Sequence, residues 1–184
     1  MRFLVPTILA LFSTLSAIAG DVQFSRFVKA SLVFRDDFDA ARRYPHILKV
    51  YLRLDNIHDS DVSWVANTKN GIEAELLDPA GNPVSQPPGG MSVQSNAWAY
   101  RLPYGSRLDW LVSHGGISMA GDAKDKYALM IGCRGWLIPI ETASSFSLRI
   151  RLRGLPWTST VERTQLRQAE LLFDLSPTKL EVSK

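Results

Sequence analysis

The chain has 184 residues, of which 46% are hydrophobic, 21% charged and 10% aromatic, proportions that exclude a disordered or collagen-like polymer and suit an ordinary globular chain. Its 21 basic and 18 acidic residues give a net charge of +3, spread along the chain without the clustered basic stripe that phosphate backbones require, so general nucleic-acid binding is not expected. A chain of roughly 150 residues buries about 68–70% of its unfolded surface, enough for one core, and a single domain is expected over residues 20–184.

Residues 1–19 have the layout of a secretory signal peptide: Arg2, an apolar run from Phe3 to about Leu15, and the small residues Ala17 and Ala19 three and one positions before a cut. The expected mature start is Gly20 or Asp21, and removal of Arg2 leaves 20 basic against 18 acidic residues. The run is shorter than the ~20 residues of a membrane span and is interrupted by Thr7, Ser13, Thr14 and Ser16. No later segment is apolar enough to span a bilayer, so the expected destination is the periplasm or the extracellular space.

In the mature chain the dominant pattern has period two. Gln23 to Phe34 is a candidate strand, and Asp36 to Arg43 is a candidate helical turn. From Ile47 to Asn56, Leu48, Val50, Leu52 and Leu54 alternate with Lys49, Tyr51, Arg53 and Asp55, the signature of a strand with one buried face. Val62 to Ala66 and the alternating segment Gly71 to Asp78 follow, and Asp78-Pro79-Ala80-Gly81-Asn82 supplies a turn. Gln86 to Ser92, rich in Pro and Gly, reads as a long loop. Asn96 to Leu102 and Arg107 to Ser113 are strands separated by Pro103-Tyr104-Gly105-Ser106, and His114 to Lys126 is a second long loop. Tyr127 to Cys133, Trp136 to Ile140, Phe146 to Arg153, Glu170 to Leu175 and Lys179 to Val182 complete the strands, with a candidate helical turn at Thr160 to Glu170.

Short strands with frequent turns and little helix predict an all-β fold, an antiparallel β-sandwich with long loops. A strand ending in Leu54-Asp55-Asn56, a polar turn, an acidic-flanked hairpin around Asp78 to Asn82 and a late strand from Phe146 to Arg153 resemble, in general layout, the immunoglobulin-like and fibronectin-type modules of exported proteins. The Cys, Trp and Cys spacing of antibody domains is absent. Cys133 is the only cysteine, so no internal disulfide forms; its apolar context predicts a buried, inert thiol, with a bridge between chains as the alternative.

The candidate ligand-binding residues are Arg149, Arg151, Arg153, Trp98, Trp157 and His114. Alternate spacing puts the three arginines on one face about 7 Å apart, suited to an acidic partner or to pairing with Glu73 and Glu75 across the sheet. Trp64, Trp98 and Trp157 stand beside polar or turn residues and are candidate exposed contacts, whereas Trp110 and Trp136 read as core. His114-Gly115-Gly116 is similar to a glycine-rich oxyanion loop, but no G-x-S-x-G elbow accompanies it. Asp122 and Asp125 are offset by Lys124 and Lys126, and the histidines lack ligand spacing. No metal and no cofactor are therefore expected. The functional expectation is an exported, noncatalytic module for a protein or cell-envelope carbohydrate. The alternatives are an exported hydrolase built from His114, Asp122 and Ser118 or Ser106, and a structural or inhibitory module acting through the 86–92 loop.

Overall fold

A computed structural model describes residues 24, 26–42, 44–67, 71–85, 97–113, 124–156 and 168–183. The described residues form an all-β structure of two sheets. In chain order the strands are β1 (Val28–Phe38), β2 (His46–Asn56), β3 (Val62–Asn67), β4 (Ile72–Leu77), β5 (Ala97–Leu102), β6 (Arg107–Leu111), β7 (Lys126–Ile131), β8 (Arg134–Pro139), β9 (Ser147–Pro156), β10 (Glu170–Asp174), β11 (Thr178–Lys179) and β12 (Val182–Ser183). A 3₁₀ turn over Ile140–Ser145 lies between β8 and β9.

The first sheet runs β12-β1-β2-β7-β8, with β6 also on β2; the second runs β10-β9-β3-β5, with β4 and β11 also on β9. Most pairings are antiparallel, but β1 with β12 and β2 with β7 are parallel, which corrects the expectation of a wholly antiparallel arrangement. Each parallel pair is joined by chain that passes through the other sheet, and such a long excursion is what parallel neighbours require. Alternation in sequence assigns faces and leaves neighbours open.

The faces are those the alternation predicts. Leu48, Val50, Leu52 and Leu54 of β2 and Leu148, Ile150 and Leu152 of β9 are all fully buried, in one cluster with Phe34, Trp64 and Leu76. That cluster draws on both sheets, and the apolar area removed from water there is the main force holding them together.

Three local expectations are corrected. The first strand lies later than Gln23 to Phe34: Phe24, Arg26 and Phe27 are helical, and β1 continues to Phe38 because all eleven of its residues pair with β2. The predicted helical turn at Asp36 to Arg43 is thereby displaced into a tight turn at Asp39–Arg42, where the Arg42 N–H donates to the Asp39 carbonyl. The strand read as Tyr127 to Cys133 ends at Ile131; Gly132, at φ +60°, and Cys133 form the two-residue loop of the β7–β8 hairpin. Cys133 is therefore exposed at a hairpin tip, and the buried thiol is overturned. The candidate helical segment from Thr160 falls largely outside the described residues.

One buried polar residue fastens the end of this structure. Asn56, 6% exposed at the close of β2, donates from its amide nitrogen to the carbonyls of Ser60, Leu102 and Pro103 at 2.9–3.0 Å, and its oxygen accepts the His58 N–H. Two amide hydrogens serve three carbonyls, so one bond is shared. Asn56 thus ties the β2–β3 turn to the turn at which the chain leaves the second sheet as β5 and enters the first as β6. Gly105 in that turn has φ +63°, the position a type II turn reserves for glycine. Asn56→Ala is expected to lower the free energy of unfolding by about 2–3 kcal/mol in urea denaturation; a loss below about 0.5 kcal/mol, the scale of an ordinary surface substitution, would contradict this clamp.

Candidate functional site

The arginine row of β9 lies on the outer face of the second sheet, between β4 and β10. Arg149 donates from Nε and Nη2 to both oxygens of Asp174 at 2.9 and 2.6 Å. Arg151 stands 3.5 Å from Asp174 and 4.0 Å from Glu73, and Arg153 donates to Glu73 at 2.7 Å. The face is a chain of alternating charge: Arg149, Asp174, Arg151, Glu73, Arg153. Glu75 lies opposite Arg149 in register and raises its pKa through space, while the bond to Asp174 is the larger cause. The Asp174 carboxyl is held below its ordinary value, chiefly by the Arg149 hydrogen bonds.

Beside this row, Arg134 reaches from the β7–β8 hairpin of the first sheet and donates from Nη1 to the Ala74 carbonyl of β4 at 2.7 Å. Glu73, Ala74, Glu75, Arg134, Arg149 and Arg151 line a cleft of about 70 Å³, well below the ~300–1,000 Å³ of typical small-molecule sites. Its guanidinium groups are largely committed to protein oxygens.

A second polar pair lies at the far end of β1 and β2. His46 Nδ1 is 2.7 Å from Asp36 Oδ2, with the rings of Phe38 and Tyr127 at 4.7 and 5.8 Å from the imidazole. Burial raises the Tyr127 pKa, and the Asp36 charge adds to the shift. A carboxylate holding an imidazole is part of a catalytic relay, but aromatic rings, and no described nucleophile, flank this one.

The third feature is β5. Trp98, Tyr100 and Leu102 share one face, opposite Ala66, Trp64 and Val62 of β3. Tyr100 stacks on Trp64, with ring centroids 5.2 Å apart and planes at 14°, and lies 4.5 Å from Trp110 of β6. Trp98 has only the small Ala66 opposite it and is 53% exposed, next to exposed Ala97 and Ala99. Among the described residues, β5 pairs with β3 and with no second strand.

The other free strands are protected in recognisable ways. On β6, Arg107 and Asp109 are ion-paired to Asp55 and Arg53. β8 is bounded by Arg134 and Pro139, β10 carries Glu170 and Asp174 with a register shift at Leu171/Phe173, and β12 is two residues long. The free edge of β4 is covered, since the Val84 N–H donates to the Leu76 carbonyl and Arg134 to that of Ala74. β5 holds one charge, Arg101, bound by the side chain of Asp61.

The structure brings Arg149, Arg151 and Arg153 together and places Trp98 on a different strand of the same sheet. Trp157, His114, Ser118 and Asp122 and the 86–92 loop lie outside the described residues. The Ser106 hydroxyl donates to the Pro103 carbonyl at 2.6 Å, within its own turn. Trp64, a candidate exposed contact, is instead fully buried, because it falls on the inner face of β3 between Phe24 and Tyr100. Sequence reasoning missed Arg134, the Asp36–His46 pair and the partnership of Asp174 with the arginines. Among the described residues there is no group of three or more His, Cys, Asp or Glu able to hold a metal ion, and no helix is long and apolar enough to cross a membrane. Comparison of the chain with protein-family models, curated proteins and solved structures finds no match.

The ion chain on β9 has a pH signature. The Asp174 pKa is lowered on folding, so its contribution to stability is present above the ordinary carboxylate value of 3.8 and is lost as pH falls through the depressed value. Asp174→Asn is expected to cost about 0.5–1 kcal/mol at neutral pH, as partly exposed pairs do. Urea titrations of the two proteins should converge in strongly acidic solution; a difference independent of pH would contradict the pairing.

Proposed function

We propose that this chain is an exported, noncatalytic binding module: a mostly antiparallel β-sandwich of general immunoglobulin-like layout, formed as one domain by residues 20–184 after removal of residues 1–19. In the periplasm or extracellular space it holds a protein partner along the edge of β5. The sandwich reading is supported by the main cluster of buried side chains, which draws on both sheets. The observation that carries the function is Trp98, half exposed on a strand whose one charge, Arg101, is bound to Asp61 and which, among the described residues, has no proline, bulge or second strand beside it. A strand edge offers main-chain hydrogen bonds to an extended partner, and a tryptophan beside it supplies the anchoring area typical of interface hot spots.

The arginine face is the weaker candidate. An acidic polysaccharide would have to displace Asp174 and Glu73 from guanidinium groups they already occupy. A neutral glycan stacked on Trp98 is the other reading of the same surface.

A photoactivatable crosslinking residue at Ala97 tests the choice. It is expected to give a discrete protein adduct that Ala99→Lys abolishes, while the same residue at Glu170 on the opposite edge gives none. Absence of the adduct, together with a melting-temperature rise in a neutral polysaccharide that Trp98→Ala removes, would overturn the protein reading in favour of a carbohydrate one.

A further inference from the structure

We infer that the partner at the β5 edge is a second copy of this chain, paired strand to strand through Ala97–Arg101 with Ala99 on the two-fold axis. This rests on the reading of β5 as the binding edge and goes one step beyond it. A two-fold contact is isologous, so the strand must be complementary to itself when read in reverse. About Ala99, it is. Antiparallel pairing centred there sets Trp98 opposite Tyr100 of the other copy and Ala97 opposite Arg101, so no like charges face each other and the aromatic residues pair twice. The parity is also right, because Trp98 and Tyr100 occupy the same face of β5.

The register also accounts for the exposed tryptophan. Within one chain, Trp64 of β3 and Tyr100 of β5 are cross-strand partners and stack. In the pair, Trp98 of the second copy takes the next place in that row, and the row Trp64, Tyr100, Trp98 then runs across the axis in both directions. The second sheet of each copy becomes half of one continuous sheet, and the edge that has no second strand among the described residues is paired. Arg101 remains with Asp61, whose carboxylate also accepts the Tyr104 N–H.

Sedimentation velocity across the micromolar range, on the chain recovered after export, tests this. The expected result is a monomer–dimer equilibrium. Ala99→Lys and Ala99→Glu, which set like charges across the axis, should each weaken it by at least ~10-fold, and an equimolar mixture of the two should restore a dimer. Circular dichroism of each variant establishes that it is folded. Because Ala99→Cys perturbs the strand least, that substitution in a Cys133→Ser background gives an independent readout: a short bismaleimide should join two chains through residue 99, whose Cβ atoms would lie about 4.5–5.5 Å apart. A chain that stays monomeric throughout, a dimer indifferent to folded Ala99→Lys, or failure of residue 99 to crosslink in a dimer would each overturn the inference. A monomer that still gives a heavier, foreign adduct from Ala97 would leave the binding edge standing and remove only the second copy.

Discussion

Everything in this structure depends on the burial of two alternating strands, one from each sheet, in a common core. β2 and β9 each present one apolar face, Leu48, Val50, Leu52 and Leu54 on the first and Leu148, Ile150 and Leu152 on the second, and all seven are inaccessible to solvent. Because the pleat has period two, burying these faces obliges the intervening residues to point outward. The outer face of β2 then carries Lys49, Arg53 and Asp55, which pair with Asp37, Asp109 and Arg107. The outer face of β9 carries three arginines that find Asp174 and Glu73. The ion chains are consequences of the core's parity, and their partly exposed setting makes each pair worth only ~0.2–1 kcal/mol.

The same constraint decides where the chain is open to a partner. Two sheets that share one buried cluster leave, among the described residues, strands paired on one side only, and the turn at Pro103–Ser106 puts β5 at the end of one sheet and β6 beside β2 in the other. Asn56 fixes that turn through the carbonyls of Leu102 and Pro103, and the rings of Phe24, Trp64, Tyr100 and Trp110 touch in a row that links β3, β5 and β6. Tyr100 and Leu102 of the strand are thus held against neighbouring side chains while Trp98 is half exposed. A segment already ordered as a strand loses less conformational entropy on pairing than an unordered one, which favours association.

The buried faces of β2, β4 and β9 were legible in the sequence because their apolar residues alternate without interruption. The partner Asp174 was not, because Leu171, Leu172 and Phe173 are consecutive apolar residues interrupted by a register shift, and such a run gives no face. Trp64 looked like a contact residue beside Ser63, yet its position on β3 sends it inward. Cys133 looked buried because an apolar strand precedes it, while Gly132 signalled the turn. That β5 pairs with β3 alone among the described residues could not be read from its own sequence, since an edge is defined by what lies beside it, and alternation leaves neighbours open. Arg134 was hidden for the same reason, its partner being a carbonyl of the other sheet.

On the proposed reading, the β5 edge is open in the single chain and closed by a second copy. Amide hydrogen exchange, read residue by residue at low and high protein concentration, tests it most directly. The account predicts that the β5 amides turned away from β3 exchange rapidly in dilute solution and become protected as concentration rises, while the edges at β8 and β10 do not change. Slow exchange of all β5 amides in the dilute chain would show that the edge is already covered from within. Exchange of β5 that is fast at every concentration would show that no second copy closes it.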